Sequence, residues 1–371
     1  MSPISYGVNA CFVRHGRVGG AEQATVNLLE GLRTEARATE EWVVYDREPL
    51  VTRSDLAPVR EHTLRDVRRL NRMAYEPVAL SARRQPAAWL HLNYATPAGL
   101  RAPAVTVIHD AQYAHYPENF STVKRTWLAR AHAHTARRAD AIVAISEFTA
   151  QDLARLHGPR ISDKITVIPN AVSFRRLLVD DGQRDTPFGR DRPFILSVAA
   201  PYRHKNLQTL IAAHESIARR HDVDLVLVGQ DRDAMVGRAS AVRLDPAETG
   251  PRVTYTGFVD DAVLGALYRA AAVFAFPSLF EGFGLPVIEA LGLGVPTVTT
   301  RCGSIPEVGG DLPVYVQDPM SVAELADALV SVLDEPDAVR PSEAQAQSLR
   351  ERFSPTTVAR QYAELVRSVA A

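Results

Sequence analysis

Short, wholly apolar runs recur along this chain, and the segments between them carry helical periods. That alternation constrains the fold more than any other feature. Ala104–His109 reads AVTVIH and Ala141–Ile145 reads AIVAI. Runs of this length that are apolar on both faces suit strands buried between two helical layers, not strands with one wet face. Ser5–Val13, Trp42–Tyr45, Trp89–Leu92 and Lys164–Ile168 read as further strands of the first half. Helices are expected over Ala21–Leu32, where Ala24, Leu28, Leu29 and Leu32 form one stripe, over Ala129–Arg138, and over Phe148–Leu156 with Ser146 as its cap. The second half repeats the scheme, with strands at Pro193–Ala199, Val223–Val228, Val253–Thr256, Ala272–Phe276 and Pro296–Thr300. Its helices fall at Leu207–Arg219, Ala262–Ala271, Pro286–Leu291 and Val322–Leu333. The expected class is α/β, as two Rossmann-like parallel-sheet domains.

A chain of 371 residues fits two such domains. The polar stretch Ser173–Arg192, with Asp180-Asp181-Gly182-Gln183 inside it, has linker composition. It separates a first domain at 1–185 from a second at 186–355. Charge is divided the same way: 25 Lys and Arg against 20 Asp and Glu up to residue 185, then 17 against 23. A net charge of −1 points to no nucleic-acid partner. The basic first half, with Arg65, Arg68, Arg69 and Arg72 clustered and Trp127 beside Lys124 and Arg125, reads either as solvated helix surface or as a face for an acidic membrane leaflet. Cys11 and Cys302 form no disulfide framework or zinc pattern. Met1–Tyr6 lacks the start of a signal peptide, and no apolar run approaches the roughly 18 residues of a membrane span. The expected location is cytoplasmic, with peripheral contact at the inner membrane face as an addition.

In open parallel sheets, ligands bind beyond the carboxyl ends of the strands. Residues that follow strands are therefore the candidates. Gly19-Gly20 opens the first helix, where backbone N–H groups can meet an anion, although a glycine pair serves equally as a tight turn. It is not the G-x-G-x-x-G of a nicotinamide site. His109 ends a buried strand and either donates into a cleft or bonds neighbouring backbone. Arg203 and Lys205 follow Phe194–Ala199 and read as a diphosphate clamp or as a solvated loop. The densest signal is PSLFEGFGLPVIEA at 277–290. Glu281 follows a strand, Gly282 and Gly284 let N–H groups point outward, and Pro286 suits a first helical turn. Glu289 lies inside that helix, able to accept two hydroxyls or to complement the helix N-terminus.

Glu281-x7-Glu289 resembles the E-x7-E signature of retaining glycosyltransferases of family 4, which have the GT-B fold. The likeness runs in order through FVRHGRVGGAEQATVNLLEGL, VIHDAQYAHYPENFS, AIVAISEFTAQDL, ITVIPNAV, SVAAPYRHKNLQTLIAA, VTYTGFVDDAVLGALYRAAAVFAFPS and TVTTRCGSIPEV. It implies two Rossmann-like domains facing across a cleft, with the final helix, 356–371, crossing back to the first. It also implies roles for individual residues. Gly19 and Gly20 would approach the donor phosphate and reacting sugar. His109 would bond that sugar or offer its carbonyl near the anomeric carbon. Arg203 and Lys205 would hold the pyrophosphate, and the neighbourhood of Phe258 would bracket the base. Glu281 would bind sugar hydroxyls, with backbone N–H groups of Gly282, Phe283, Gly284 and Leu285 beside it, and Glu289 would bind the ribose. One departure stands out: the phosphate-binding Arg that many members carry five residues before the Lys is Ala200 here, so Arg203 is the replacement.

The chemistry this implies is retaining hexosyl transfer, with the leaving phosphate taking the acceptor proton and with no metal or cofactor. Asp222-Val-Asp224 and Asp231-Arg-Asp233 read as surface charge. The resemblance favours mannose from GDP-mannose, with UDP-glucose or UDP-N-acetylglucosamine as alternatives. The acceptor is a glycan, a lipid-linked sugar or a natural product. A nucleotide-sugar 2-epimerase or phosphorylase on the same architecture and a catalytically silent sugar-nucleotide binder are the competing classes.

Overall fold

A computed structural model describes residues 3–13, 19–47, 59–63, 80, 85–178, 192–229 and 252–371, the side chains of 61–63 and 160 excepted. Two all-parallel sheets account for the apolar runs. The first holds β1 (Ile4–Asn9), β2 (Glu40–Asp46), β3 (Val59–Thr63), β4 (Ala88–His91), β5 (Ala104–Ile108), β6 (Ala141–Ala144) and β7 (Ile165–Val167), in the order β3-β2-β1-β4-β5-β6-β7. The second holds β8 (Phe194–Val198), β9 (Asp224–Val228), β10 (Val253–Gly257), β11 (Val273–Phe276), β12 (Thr297–Thr300) and β13 (Val314–Val316), in the order β10-β9-β8-β11-β12-β13. The inner strands are buried on both faces, as Val105, Val107 and Ile108 of β5 and Phe194, Ile195 and Leu196 of β8 show.

The chain divides into two compact units. One comprises Met1–Pro117, Thr122–Val172 and Arg352–Ala371, and the other Ser173–Glu351 with Glu118–Ser121. In the first, α1 (Gly20–Glu35), α2 (Thr122–Arg138) and α3 (Glu147–His157) connect strands. Ser146 Oγ accepts from Thr149 N at 3.1 Å and so caps α3. The last helix, α8 (Pro355–Ala370), belongs to this unit and lies against α1. It packs so close that a Cβ on Gly31 would stand 2.0 Å from the Pro355 carbonyl oxygen. Arg367 Nη2 donates to Glu40 Oε2 at 2.8 Å beneath that contact. In the second unit, α4 (Leu207–His221), α5 (Asp261–Ala270) and α6 (Leu285–Gly292) play the connecting part, and α7 (Val322–Asp334) follows the last strand.

The structure corrects the sequence in three places. The first strand stops at Asn9, because Ala10–Val13 closes a turn with Val13 N donating to Ala10 O; its apolar side chains are buried as a loop. The edge strands β3 and β13 were not foreseen. Ser173–Arg192 is not linker throughout: Phe174–Arg176 is a 3-10 turn, with Phe174 and Leu177 buried in the second unit. Arg65, Arg68, Arg69, Arg72 and Asp231-Arg-Asp233 lie outside the described residues.

Candidate functional site

Strand order reverses between β8 and β11 in the second unit, and between β1 and β4 in the first. Such switch points open a crevice at the carboxyl ends of the strands. In the second unit that crevice is flanked by the residues after β8 and the residues after β11. The first group contains Arg203, His204 and Lys205, a single 3-10 turn, and the second contains Pro277–Glu281.

The two loops are latched together. The His204 carbonyl accepts from Leu279 N at 2.7 Å and lies 3.0 Å from Ser278 Oγ. Lys205 Nζ donates to Glu281 Oε1 at 2.6 Å and stands 5.2 Å from the centre of the Phe276 ring. Ser278 Oγ donates to the same carboxylate oxygen at 2.6 Å. Both bonds fall on Oε1, so Oε2 has no hydrogen-bond partner among the described residues. The Glu281 backbone is fixed from beneath. Ser304 N donates to its carbonyl at 3.1 Å, and Gly303, at φ 61°, lies so near that a Cβ there would meet that oxygen at 2.2 Å. The result is a lysine and a carboxylate held at one point, each with bonding capacity left over. Arg203 is exposed two residues away. Burial, helped by the Lys205 charge, pushes the His204 imidazole down to about 3, so it adds no cation there.

Gly282, Phe283 and Gly284 lead from Glu281 into α6, which begins at Leu285. Gly284 occupies the left-handed region at φ 93°, and no side chain caps the helix. Pro286 in the first turn has no N–H to leave unsatisfied. An uncapped N-terminus at a switch point favours an anion.

Glu289 does not join the Lys205–Glu281 pair. Its Oε1 accepts from Arg176 Nη2, and its Oε2 accepts from the Tyr268 hydroxyl at 3.0 Å. Burial pushes the Glu289 carboxyl up, while Arg176 and Tyr268 pull it back. Arg176 reaches Asp261 with its other terminal nitrogen. Phe258, 60% exposed, precedes Asp260, which caps α5 by accepting from Val263 N at 2.9 Å. Asp222 pairs with Arg252 and Arg192, and Asp224 with Arg192.

The first unit holds the remaining candidates. Gly19, at φ 71°, makes the turn before α1, and its carbonyl accepts from Glu22 N and Gln23 N; Gly20 is the first residue of the helix. His109, 8% exposed, follows β5 and bonds back through Nε2 to the Leu92 carbonyl at 3.0 Å. A carbonyl can only accept, so Nε2 carries the hydrogen and Nδ1 the lone pair. Burial lowers the His109 pKa, partly offset by that bond. Tyr94 meets the ring edge-on at 5.6 Å and stacks at 5.6 Å on His132, a buried imidazole pushed down to about 3. Next to β1, Asn9 Nδ2 lies 3.2 Å from His91 Nδ1, and burial holds His91 at about 3.

Arg176, Tyr268 and Ser278 are the site residues that the sequence did not disclose. Arg176 lay in a stretch of linker composition, Tyr268 in an expected helix without a role, and Ser278 inside the motif without a role. Among the described residues no helix is long and apolar enough to cross a membrane.

Comparison with known proteins assigns the class. Residues 18–176 match the model of Glycosyltransferase Family 4, and residues 192–335 match that of Glycosyl transferases group 1. The chain belongs to the glycosyltransferases; the first match covers β2 to β7 and the second β8 to β13. It is 32% identical over 180 residues to the serotype-specific mannosyltransferase WbdA of Escherichia coli, covering 47% of this chain and 22% of that protein. It is 27% identical over 241 residues to the O-antigen chain mannosyltransferase B of E. coli, covering 62% of this chain and 61% of the relative. Glycogen synthase of Mycobacterium tuberculosis is 28% identical over 268 residues, 69% of this chain and 61% of the relative. The chain thus spans about a fifth of WbdA and 61% of the other two. Among solved structures, Anabaena HepE in complex with UDP-glucose matches with a TM-score of 0.74 at 18% identity, over 98% of this chain and 99% of that one. Sucrose-phosphate synthase from Thermosynechococcus elongatus matches with a TM-score of 0.74 at 20% identity, over 98% of each chain. These likenesses identify the fold.

Proposed function

We propose that the protein is a retaining hexosyltransferase that moves mannose from GDP-mannose to a hydroxyl of a glycan or lipid-linked acceptor. The observation that carries this reading is the Lys205–Glu281 pair at the switch point of the second sheet, with Glu281 Oε2 open. Lys205, with Arg203 beside it, neutralises the diphosphate as the anomeric bond breaks. Glu281 accepts hydroxyls of the donor sugar, and the N–H groups of Gly282–Leu285 at the start of α6 hold sugar and phosphate. Glu289 takes the ribose and the backbone near Phe258 the base. His109 serves the donor sugar through its lone-pair nitrogen or its carbonyl. The acceptor attacks on the face the phosphate leaves and gives its proton to that phosphate, so configuration is retained. The protein cations supply the charge stabilisation, and no metal is assigned.

The mannosyltransferase relatives support mannose as the sugar. The glycogen synthase relative, matched over a larger share of this chain, favours glucosyl transfer as the second reading. A panel of GDP-mannose, UDP-glucose and UDP-N-acetylglucosamine decides between them. A donor at a hundredfold over its dissociation constant stabilises the folded protein by about 2.7 kcal/mol, which a thermal shift resolves. GDP-mannose is expected to give the largest shift and to release GDP in the presence of acceptor. No shift with any nucleotide sugar would overturn the reading. For the acceptor, α2 exposes Val123 at 82% next to exposed Lys124 and Arg125, which suits a lipid-linked sugar at an anionic surface. Binding to anionic vesicles at low salt is expected, and its absence would remove the membrane part of the proposal.

A further inference from the structure

The turn Phe174–Leu177 is small, yet two helices are cut away to receive it. A Cβ on Gly265 of α5 would stand 1.9 Å from the Leu177 carbonyl oxygen. A Cβ on Gly292 of α6 would stand 2.4 Å from the Phe174 ring. Arg269 Nη1 donates to the same Leu177 oxygen at 2.6 Å. The turn is thereby wedged between α5 and α6, and the place of Arg176 is determined by it. One terminal nitrogen of Arg176 pairs with Asp261, the first residue of α5, and the other with Glu289 in α6. Tyr268, fully buried with its ring 5.4 Å from that of Phe274, donates to the second Glu289 oxygen.

Such a network is a poor way to hold two helices together. The desolvation of a buried Arg–carboxylate pair offsets most of its attraction, and an apolar contact does the same work. The Nε of Arg176 also has no hydrogen-bond partner among the described residues. What the network does provide is direction. A carboxylate oxygen offers about two lone-pair sites. Arg176 occupies one on Oε1 and Tyr268 one on Oε2, which leaves one on each, side by side, in a plane that two rigid donors define. Two adjacent acceptors in a fixed plane match a vicinal diol.

We propose that Arg176 and Tyr268 are positioning residues that fix the Glu289 carboxylate to receive the 2′ and 3′ hydroxyls of the donor nucleotide. The site's preference for ribose over deoxyribose then depends on this pair as well as on Glu289. The proposal rests on the reading of the second unit as a nucleotide-sugar site. Because Arg176 also holds Asp261, the ribose contact is tied to the helix that follows the Phe258 segment.

The test is competition binding of GDP against 2′-deoxy-GDP, and of UDP against 2′-deoxy-UDP, to the whole protein. Wild type, Arg176→Gln, Arg176→Lys and Tyr268→Phe are compared, with the thermal midpoint of each recorded. Wild type is expected to prefer its ribonucleotide on the order of tenfold, the effect of one hydrogen bond to a charged acceptor. Arg176→Gln and Tyr268→Phe are expected to bring the ratio within about threefold, by weakening the ribo form, which has two hydroxyls on Glu289, more than the 2′-deoxy form, which has only the 3′ one. Arg176→Lys keeps the charge without the planar fork and falls between. A general loss of structure would weaken both nucleotides equally, so the ratio separates positioning from stability. Folded Arg176→Gln and Tyr268→Phe proteins with the wild-type ratio would overturn the inference and leave the nucleotide reading standing. A wild type that binds neither GDP nor UDP would overturn both. Should Arg176→Gln fail to fold, Tyr268→Phe removes only a hydroxyl and decides alone.

Discussion

The two units surround their candidate residues with opposite materials: Lys205 and Glu281 flank the reversal of strand order in the second sheet, and His109 follows β5, next to β4 at the first sheet's reversal. Around His109 the first unit buries neutral imidazoles and aromatic rings: His132 stacked on Tyr94, and His91 stacked on Trp89 at 5.7 Å. The second unit buries ions: Lys205 on Glu281, and Arg176 on Glu289. A cluster that resists protonation suits a neutral sugar or acceptor hydroxyl, which needs hydrogen bonds of fixed sense. Paired ions with spare donors and acceptors suit a ligand that carries a diphosphate at one end and hydroxyls at the other. On the proposed function, the charged site of the second unit does most of the chemical work.

The largest expected effect follows from that. Lys205→Ala and Glu281→Ala should each lower kcat on the order of 10²–10³-fold, the usual cost of removing one group that stabilises developing charge. His109→Ala should cost about tenfold, as the loss of a neutral hydrogen bond does. Steady-state kinetics with saturating donor would read all three. An equal loss at His109 would break the contrast between the units.

Acid tests the first unit's buried imidazoles next, although His204 gives the second unit a share of the same sensitivity. Burial holds His91 and His132 at about 3 in the folded state, against about 6.5 in the unfolded chain. Between those values the unfolded chain binds the protons and the folded one does not, so stability falls as pH drops below about 6.5. From pH 7.5 to 5.5 each imidazole should cost about 1.4 kcal/mol, roughly 3 kcal/mol for the pair. All three tryptophans, Trp42, Trp89 and Trp127, belong to the first unit, so urea titrations followed by tryptophan fluorescence report on it specifically. A stability flat across that range would contradict the buried-neutral description.

A third expectation concerns packing. Gly265→Ala would force a methyl against the Leu177 carbonyl and should destabilise the second unit by about 1–3 kcal/mol, read as a lower thermal midpoint. The smallest effect sharpens the acid prediction: His132→Phe should remove one imidazole's share of the acid sensitivity of the tryptophan signal, about 1.4 kcal/mol at pH 5.5.

The sheets were legible because strands buried on both faces are mostly apolar; AVTVIH and AIVAI announce themselves. The edge strands VREHT and VYV did not, since a short strand with one neighbour tolerates charge and has little apolar length to display. The first strand looked too long because Cys11, Phe12 and Val13 are as buried in a turn as they would be in a sheet. Glu281, Lys205 and His109 were readable from their position after strands. The partners that orient Glu289 were not. Arg176 reaches it across 113 residues of sequence, from a polar segment, by a contact that no local pattern encodes.

On the proposed function, the donor lies on the second unit's switch point. Amide hydrogen exchange, with and without the nucleotide sugar that shifts the thermal midpoint, tests it most directly. Protection is expected at Arg203–Asn206 and Phe280–Ile288, with a smaller change near His109. Saturating donor that leaves exchange at those second-unit amides unaltered would contradict the account.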